Sequence, residues 1–258
     1  LVAGASQTFV FGMTATGAGV VTFTVSGAGA TCGGGTALVA QSGASATVQT
    51  AAALVASMHL VPGSVCTGQD VLVTLTVTNT GQATAWGLDL VAPPLVMTGT
   101  GSVSPVAGPE PAFPVSLAGG VAMTFTWTYS GAVAGPVTLS TTVAGTDTNS
   151  GASLSTGVVA AADTITTPGA FAAAIASPAM VSTGQLYRVW LTVTNTGGTA
   201  VTGLSATIYA GPGGGLVSGP QGPVPVDLGS LAAGAATTFV FSYTATGAGP
   251  VALTVTVT

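Results

Sequence analysis

The chain has 258 residues, with one Lys or Arg, six Asp or Glu, one His and a formal net charge of -5. Charged residues make up 3%, against roughly 25% in an ordinary soluble domain, while 48% are hydrophobic. Nucleic-acid binding is excluded, because Arg188 alone cannot replace counterions along a phosphate backbone. Enzyme chemistry draws on clustered titratable groups, and few clusters can be built from so small a set. The high apolar fraction excludes disorder of the charged kind.

The predicted elements are all strands and turns. Phe9, Phe11 and Met13 alternate with Val10 and Gly12, which describes one inward face of a strand. A Gly-rich turn at 15–19 leads to a second alternating run, Val20 to Val25, so the pair reads as a hairpin. Met58-His59-Leu60 lies in an apolar strand, where a partly buried histidine is expected. Val71 to Thr78 forms a longer strand that Asn79-Thr80-Gly81 stops, since Asn and Gly tolerate turn backbone. Prolines concentrated at 93–114 mark loops or edges. Phe125, Trp127 and Tyr129 then alternate as Phe9, Phe11 and Met13 do, and Val137 to Val143 follows a turn at 132–135. In Gly145-Thr-Asp-Thr-Asn-Ser-Gly151, Asp147 supplies a single carboxylate, too few for calcium, and an Asx turn is expected. Ala170 to Val181 is short and holds Pro178, and no helix longer than a turn is expected anywhere. A second proline-rich stretch at 212–225 precedes Phe239, Phe241 and Tyr243, and Val251 to Val257 alternates again.

These elements repeat. Leu1-Val-Ala-Gly-Ala-Ser-Gln-Thr-Phe-Val-Phe returns from Leu117 and again from Leu231. Thr67-Gly-Gln, with its strand and Val-Thr-Asn-Thr-Gly81, returns as Thr183-Gly-Gln through Gly197. The unit of about 115 residues is the size of one β-sandwich domain. The fold expected is all-β: tandem immunoglobulin-like antiparallel β-sandwiches. Residues 1–50 hold the C-terminal part of one repeat, 52–165 a complete repeat, and 166–258 a repeat lacking its last segment. Either the chain is a slice of a longer array, or neighbouring chains complete the cut domains by strand complementation. No signal peptide is visible and the chain starts at Leu1, so a targeting segment has been removed or more chain precedes it. No apolar run reaches about 18 residues, so no helical membrane span is expected. Thr and Ser facing one way and Val the other argue for one wet strand face rather than a lipid-facing barrel.

The Thr-Gly-Gln strand closed by Val-Thr-Asn-Thr-Gly, followed by Leu-Ala-Ala-Gly and the Thr-Phe…Phe…Tyr strand, resembles the CARDB-like and related immunoglobulin-like repeats of bacterial surface proteins. The resemblance runs through all three copies. It implies a secreted or cell-surface location, a stalk, adhesive or filament role, and no catalytic residue.

The repeat also tests candidate residues internally. Asp70 falls opposite Leu186, Arg188 opposite Leu72, His59 opposite Ile175 and Asp147 opposite Thr31, so none of these is a per-repeat functional residue. No catalytic, cofactor-binding or metal-ligating residue is expected, and no cofactor. Gly211-Pro-Gly-Gly-Gly215 lacks the spacing of a dinucleotide fingerprint. Cys32 and Cys66 replace Thr148 and Ser182 around one domain junction and form a disulfide candidate. A bridge would close a loop of about 35 residues, worth about 3–4 kcal/mol in the chain-entropy account; the alternative is two free buried thiols. With so little charge, the outer faces of Thr, Ser, Gly and Ala repel weakly and suit self-association into a filament or head-to-tail array. O-linked glycans on Thr or Ser are the other route to solubility. Lys–Asn isopeptide staples are impossible without lysine. The expectation is an extracellular, non-enzymatic rod or filament subunit; the alternative is the stalk of a surface adhesin whose binding head lies outside this sequence.

Overall fold

A computed structural model describes residues 4–30, 33, 38–93, 95–211 and 216–258. The described residues are all-β and contain no helix longer than a turn. Strands β1 (Gly19–Gly29) and β2 (Leu38–Val48) pair antiparallel as a hairpin, with Gly19 opposite Val48. A first unit follows: β3 (Leu54–Val61), β4 (Val65–Cys66), β5 (Asp70–Asn79), β6 (Ala85–Leu90), β7 (Val96–Gly99), β8 (Ser102–Glu110), β9 (Val115–Leu117), β10 (Ala122–Val133), β11 (Gly135–Thr141), β12 (Val143–Asp147), β13 (Ser153–Ser155) and β14 (Val159–Thr166). A second unit holds β15 (Phe171–Ala176), β16 (Leu186–Asn195), β17 (Val201–Ala210), β18 (Val217–Val224), β19 (Asp227–Leu231), β20 (Ala236–Ala245) and β21 (Leu253–Val257).

In the first unit, one sheet runs β3-β5-β10-β8. The opposite side is made by β4-β14-β11-β7 and β13-β12-β6-β9, antiparallel except where β4 meets β14. The core follows from period-2 alternation. Val71, Val73, Leu75 and Val77 of β5 point inward beside Phe125, Trp127 and Tyr129 of β10. Leu88, Val137, Leu139, Val143 and Ile165 join the same core from the other side. The Thr residues between them face outward, and Thr76 and Thr124 meet across the strands at 2.9 Å between hydroxyls. The second unit repeats the plan. Val189, Leu191 and Val193 of β16 lie beside Phe239, Phe241 and Tyr243 of β20, and Thr192 meets Thr238 at 3.2 Å. One sheet runs β15-β16-β20-β18, and the facing sheet runs β19-β17-β21 among the described residues.

Two expectations are corrected. Phe9, Phe11 and Met13 do not form a strand, and Phe9 is 75% exposed. Their counterparts in β10 and β20 are each held between two partner strands, and among the described residues no such partners flank residues 9–13. Alternation alone does not make a strand when the hydrogen-bonding neighbours are absent. His59 is exposed rather than partly buried, because Met58 and Leu60 take the inward positions of β3 and leave the residue between them on the outer face.

The two cores share no buried residue. Leu75→Ala and Leu191→Ala are therefore each expected to cost about 2–5 kcal/mol, each confined to its own unit. Urea unfolding followed by Trp fluorescence, with Trp127 in the first unit and Trp190 in the second, should show one transition moving while the other stays.

Candidate functional site

The recurring polar side chains are not the charged ones. Asn79 ends β5 and Asn195 ends β16, and both are fully buried. Asn79 Oδ1 accepts from the backbone N–H of Ala53 at 3.2 Å and Gly81 at 3.1 Å. Its Nδ2 donates to the carbonyls of Ala83 at 2.8 Å and Leu117 at 3.0 Å. Asn195 donates to Thr199 at 2.8 Å and Leu231 at 3.0 Å and accepts from Gly197 N–H at 3.0 Å. Leu117 belongs to β9 and Leu231 to β19, so each amide ties the end of one sheet to the edge of the other. Gly81 and Gly197 complete the motif. A Cβ at either would collide with the backbone of the chain entering the unit, at Ala51 and Pro168 respectively. In the sequence Asn-Thr-Gly reads only as a turn. The recurrence of Asn79 at Asn195, where no charged residue recurs, was the signal that could have exposed its role.

The Thr-Gly-Gln motif acts in the same way. Gln69 Oε1 accepts from Cys66 N–H at 2.8 Å, and Gln185 Oε1 accepts from Ser182 N–H at 2.9 Å. The side chain shapes the short segment just before the long strand. In the first unit that segment is β4, where Thr67 N–H donates to Thr166 O at 2.8 Å and Thr166 Oγ1 to Val65 O at 3.2 Å.

Asp147 forms the expected Asx turn, its Oδ1 accepting from Asn149 and Ser150 N–H, each at 2.8 Å. Its Oδ2 also accepts from Ala52 N–H at 2.6 Å, which anchors the entry of the first unit to a loop far along the chain. These donors, Ala52 first, outweigh the desolvation of the buried carboxyl and hold its pKa below the ordinary value. Nearby, Asn149 Nδ2 donates to Gln49 Oε1 at 2.9 Å, Gln49 Nε2 to Gln82 O at 3.2 Å, and Thr50 N–H to Gln82 Oε1 at 3.0 Å. This amide chain docks the end of the β1–β2 hairpin on the first unit.

The remaining candidates do not converge. Asp70 and Arg188 are exposed on different units, and among the described residues no group of three or more His, Cys, Asp or Glu could hold a metal. Trp86 is exposed. Cys66 is half-buried with Sγ 3.5 Å from Thr166 Oγ1, and Cys32 lies outside the described residues, as does most of Gly211-Pro-Gly-Gly-Gly215. Asp163, which no sequence pattern singles out, is buried in β14 with Oδ1 accepting from Thr164 N–H at 2.6 Å and Oδ2 without a partner among the described residues. Tyr187 and Tyr243 stack with ring centroids 5.9 Å apart, and burial raises the pKa of both phenols. No helix among the described residues is long and apolar enough to cross a membrane.

No protein-family model and no curated protein matches the chain. Among solved structures it is similar to a protein of unknown function from Porphyromonas gingivalis W83, at 14% identity and TM-score 0.31, covering 74% of this chain and 83% of that one. It is also similar to Escherichia coli alpha-2-macroglobulin activated by porcine elastase, at 14% identity and TM-score 0.28, covering 81% of this chain and 20% of that one.

Asn79→Ala leaves four backbone groups without their partner and is expected to cost the first unit at least about 2 kcal/mol, read as a lower urea midpoint for that unit alone. Because the Asp147 carboxyl titrates below its unfolded value, its contribution is complete above the ordinary carboxylate range and is lost as pH falls through the depressed folded pKa. Thermal melts of the first unit between about pH 5 and 2 should fall more steeply in the parent than in Asp147→Asn.

Proposed function

We propose that this chain is an extracellular structural protein of the bacterial surface, a rod or filament shaft built from CARDB-like, immunoglobulin-like repeats. It works by holding length and self-associating rather than by catalysis. The observation that carries this reading is which polar residues recur. Asn79 and Asn195 close one sheet on the other, Gln69 and Gln185 shape the segment before the long strand, and the Thr76–Thr124 and Thr192–Thr238 pairs link neighbouring strands on the outer face. No Asp, Glu, His, Arg or Cys recurs at its equivalent position. Outer faces of Thr, Ser and small residues keep the strands hydrated with little charge repulsion, which favours close lateral or end-to-end packing. Strands of 10 to 12 residues rise about 3.3 Å per residue, so each repeat extends the rod by roughly 33–40 Å. A Cys32–Cys66 bridge would stiffen the junction ahead of the first unit and fits an oxidising compartment. O-linked glycans on Thr or Ser would add hydration without charge.

Negative-stain electron microscopy of the unreduced protein should show filaments with an axial repeat of one or a few domain lengths. Reduction should loosen their order if Cys32 and Cys66 are bonded. Isolated short rods at all concentrations would refute the filament and leave a passive stalk.

A further inference from the structure

The outer faces of the two units are built alike and charged unlike. In the second unit, Arg188 of β16, Ser242 of β20 and Gln221 and Val224 of β18 line a shallow groove of about 350 Å³ on the sheet β15-β16-β20-β18. Alternation puts them outside, because Val189, Phe241 and Tyr243 beside them point into the core. Arg188 is the single Lys or Arg of the sequence. Its side chain is exposed and has no ion pair or hydrogen bond among the described residues. The four strands of this sheet hold no Asp or Glu. The corresponding sheet of the first unit, β3-β5-β10-β8, holds Asp70 and Glu110, both exposed, and no Lys or Arg. One face is therefore cationic and the other anionic, while most of both is Thr, Ser and small residues.

The register makes the two faces complementary at matched positions. Leu72 stands opposite Thr128 as Arg188 stands opposite Ser242. Glu110 stands opposite Thr126 as Val224 stands opposite Val240. The edge strands confirm the match, since Gly108-Pro109-Glu110-Pro111 returns as Gly222-Pro223-Val224-Pro225. Where the first unit has Leu72 and Glu110, the second has Arg188 and Val224, with the chemistry exchanged and the spacing kept. A second unit turned face to face onto a first unit can therefore set Arg188 on Glu110 and Val224 on Leu72 at once. Both apolar partners are open to do so, Leu72 being 42% exposed and Val224 67%. Four strands about 4.8 Å apart and about ten residues long offer roughly 600 Å² a side, which reaches the lower edge of specific interfaces.

We propose that the outer sheet of the second unit docks on the outer sheet of the first unit of another copy of this chain, with Arg188 paired to Glu110 and Val224 packed on Leu72. An exposed ion pair contributes little affinity by itself, so the pair selects the face and fixes its register, while Val224, Leu72 and Trp190 supply the apolar burial. This rests on the filament reading and deepens it, because it names the partner and the lateral contact. Each copy carries one face of each kind, so the same contact joins copy to copy.

The test is sedimentation velocity of the whole chain at concentrations from about 1 to 100 μM, comparing the parent, Arg188→Glu, Glu110→Arg and an equimolar mixture of the two variants. Each variant alone should weaken self-association about tenfold, because like charges then face each other. The mixture should recover it, since each copy offers the sign that the other lacks, and only a contact between copies can be rescued in this way. Unfolding midpoints should not move, as both side chains are exposed. Association of Arg188→Glu equal to the parent's, a mixture that stays weak, or a parent that is monomeric at every concentration would each overturn the proposal. Arg188-dependent retention of a monomeric parent on an immobilised polyuronate would give the groove to an anionic glycan instead. Filaments by microscopy that persist unchanged in Arg188→Glu would sink the face pairing alone; the absence of any elongated assembly would sink the filament reading with it.

Discussion

The structure turns on a buried amide. With almost no charge available, the two sheets of each unit cannot be registered by ion pairs, and an apolar core by itself is indifferent to small slips between its faces. Asn79 and Asn195 remove that indifference. Each uses both ends of its amide on backbone groups of different segments, so a slip of either sheet would strand polar groups in the core. The long strand, the turn that follows it and the edge strand of the facing sheet are thereby set together. The glycine two residues on lets the entering chain lie against that turn.

From that bracket the rest of the unit is assembled with neutral parts. Val, Leu and aromatic residues alternate inward and Thr outward, and the Thr face supplies both β propensity and hydration. Glutamine side chains perform at the junctions what lysine and arginine perform elsewhere, accepting and donating to backbone at fixed places. Asp147 is the exception, a carboxylate used as a backbone acceptor at the unit's entry rather than as a charge for a partner. Such a protein carries a weak long-range field.

The sequence by itself determined the fold class, the length of the unit and which strand faces are apolar, because these depend on period-2 alternation and on repetition, both of which are local in the text. It also revealed that Asp, Glu, His and Arg do not recur, and it placed the Asx turn at Asp147. The tertiary structure decided what depends on neighbours. Phe9, Phe11 and Met13 carry the pattern of a strand and are not one, because pairing needs partners that alternation cannot supply. His59 lies outside because Met58 and Leu60 claim the core, a choice of face that the letters around it leave open. Asn79 reads as a turn residue and is a buried clamp, since its four partners are spread from Ala53 to Leu117 and converge only when the sheets close.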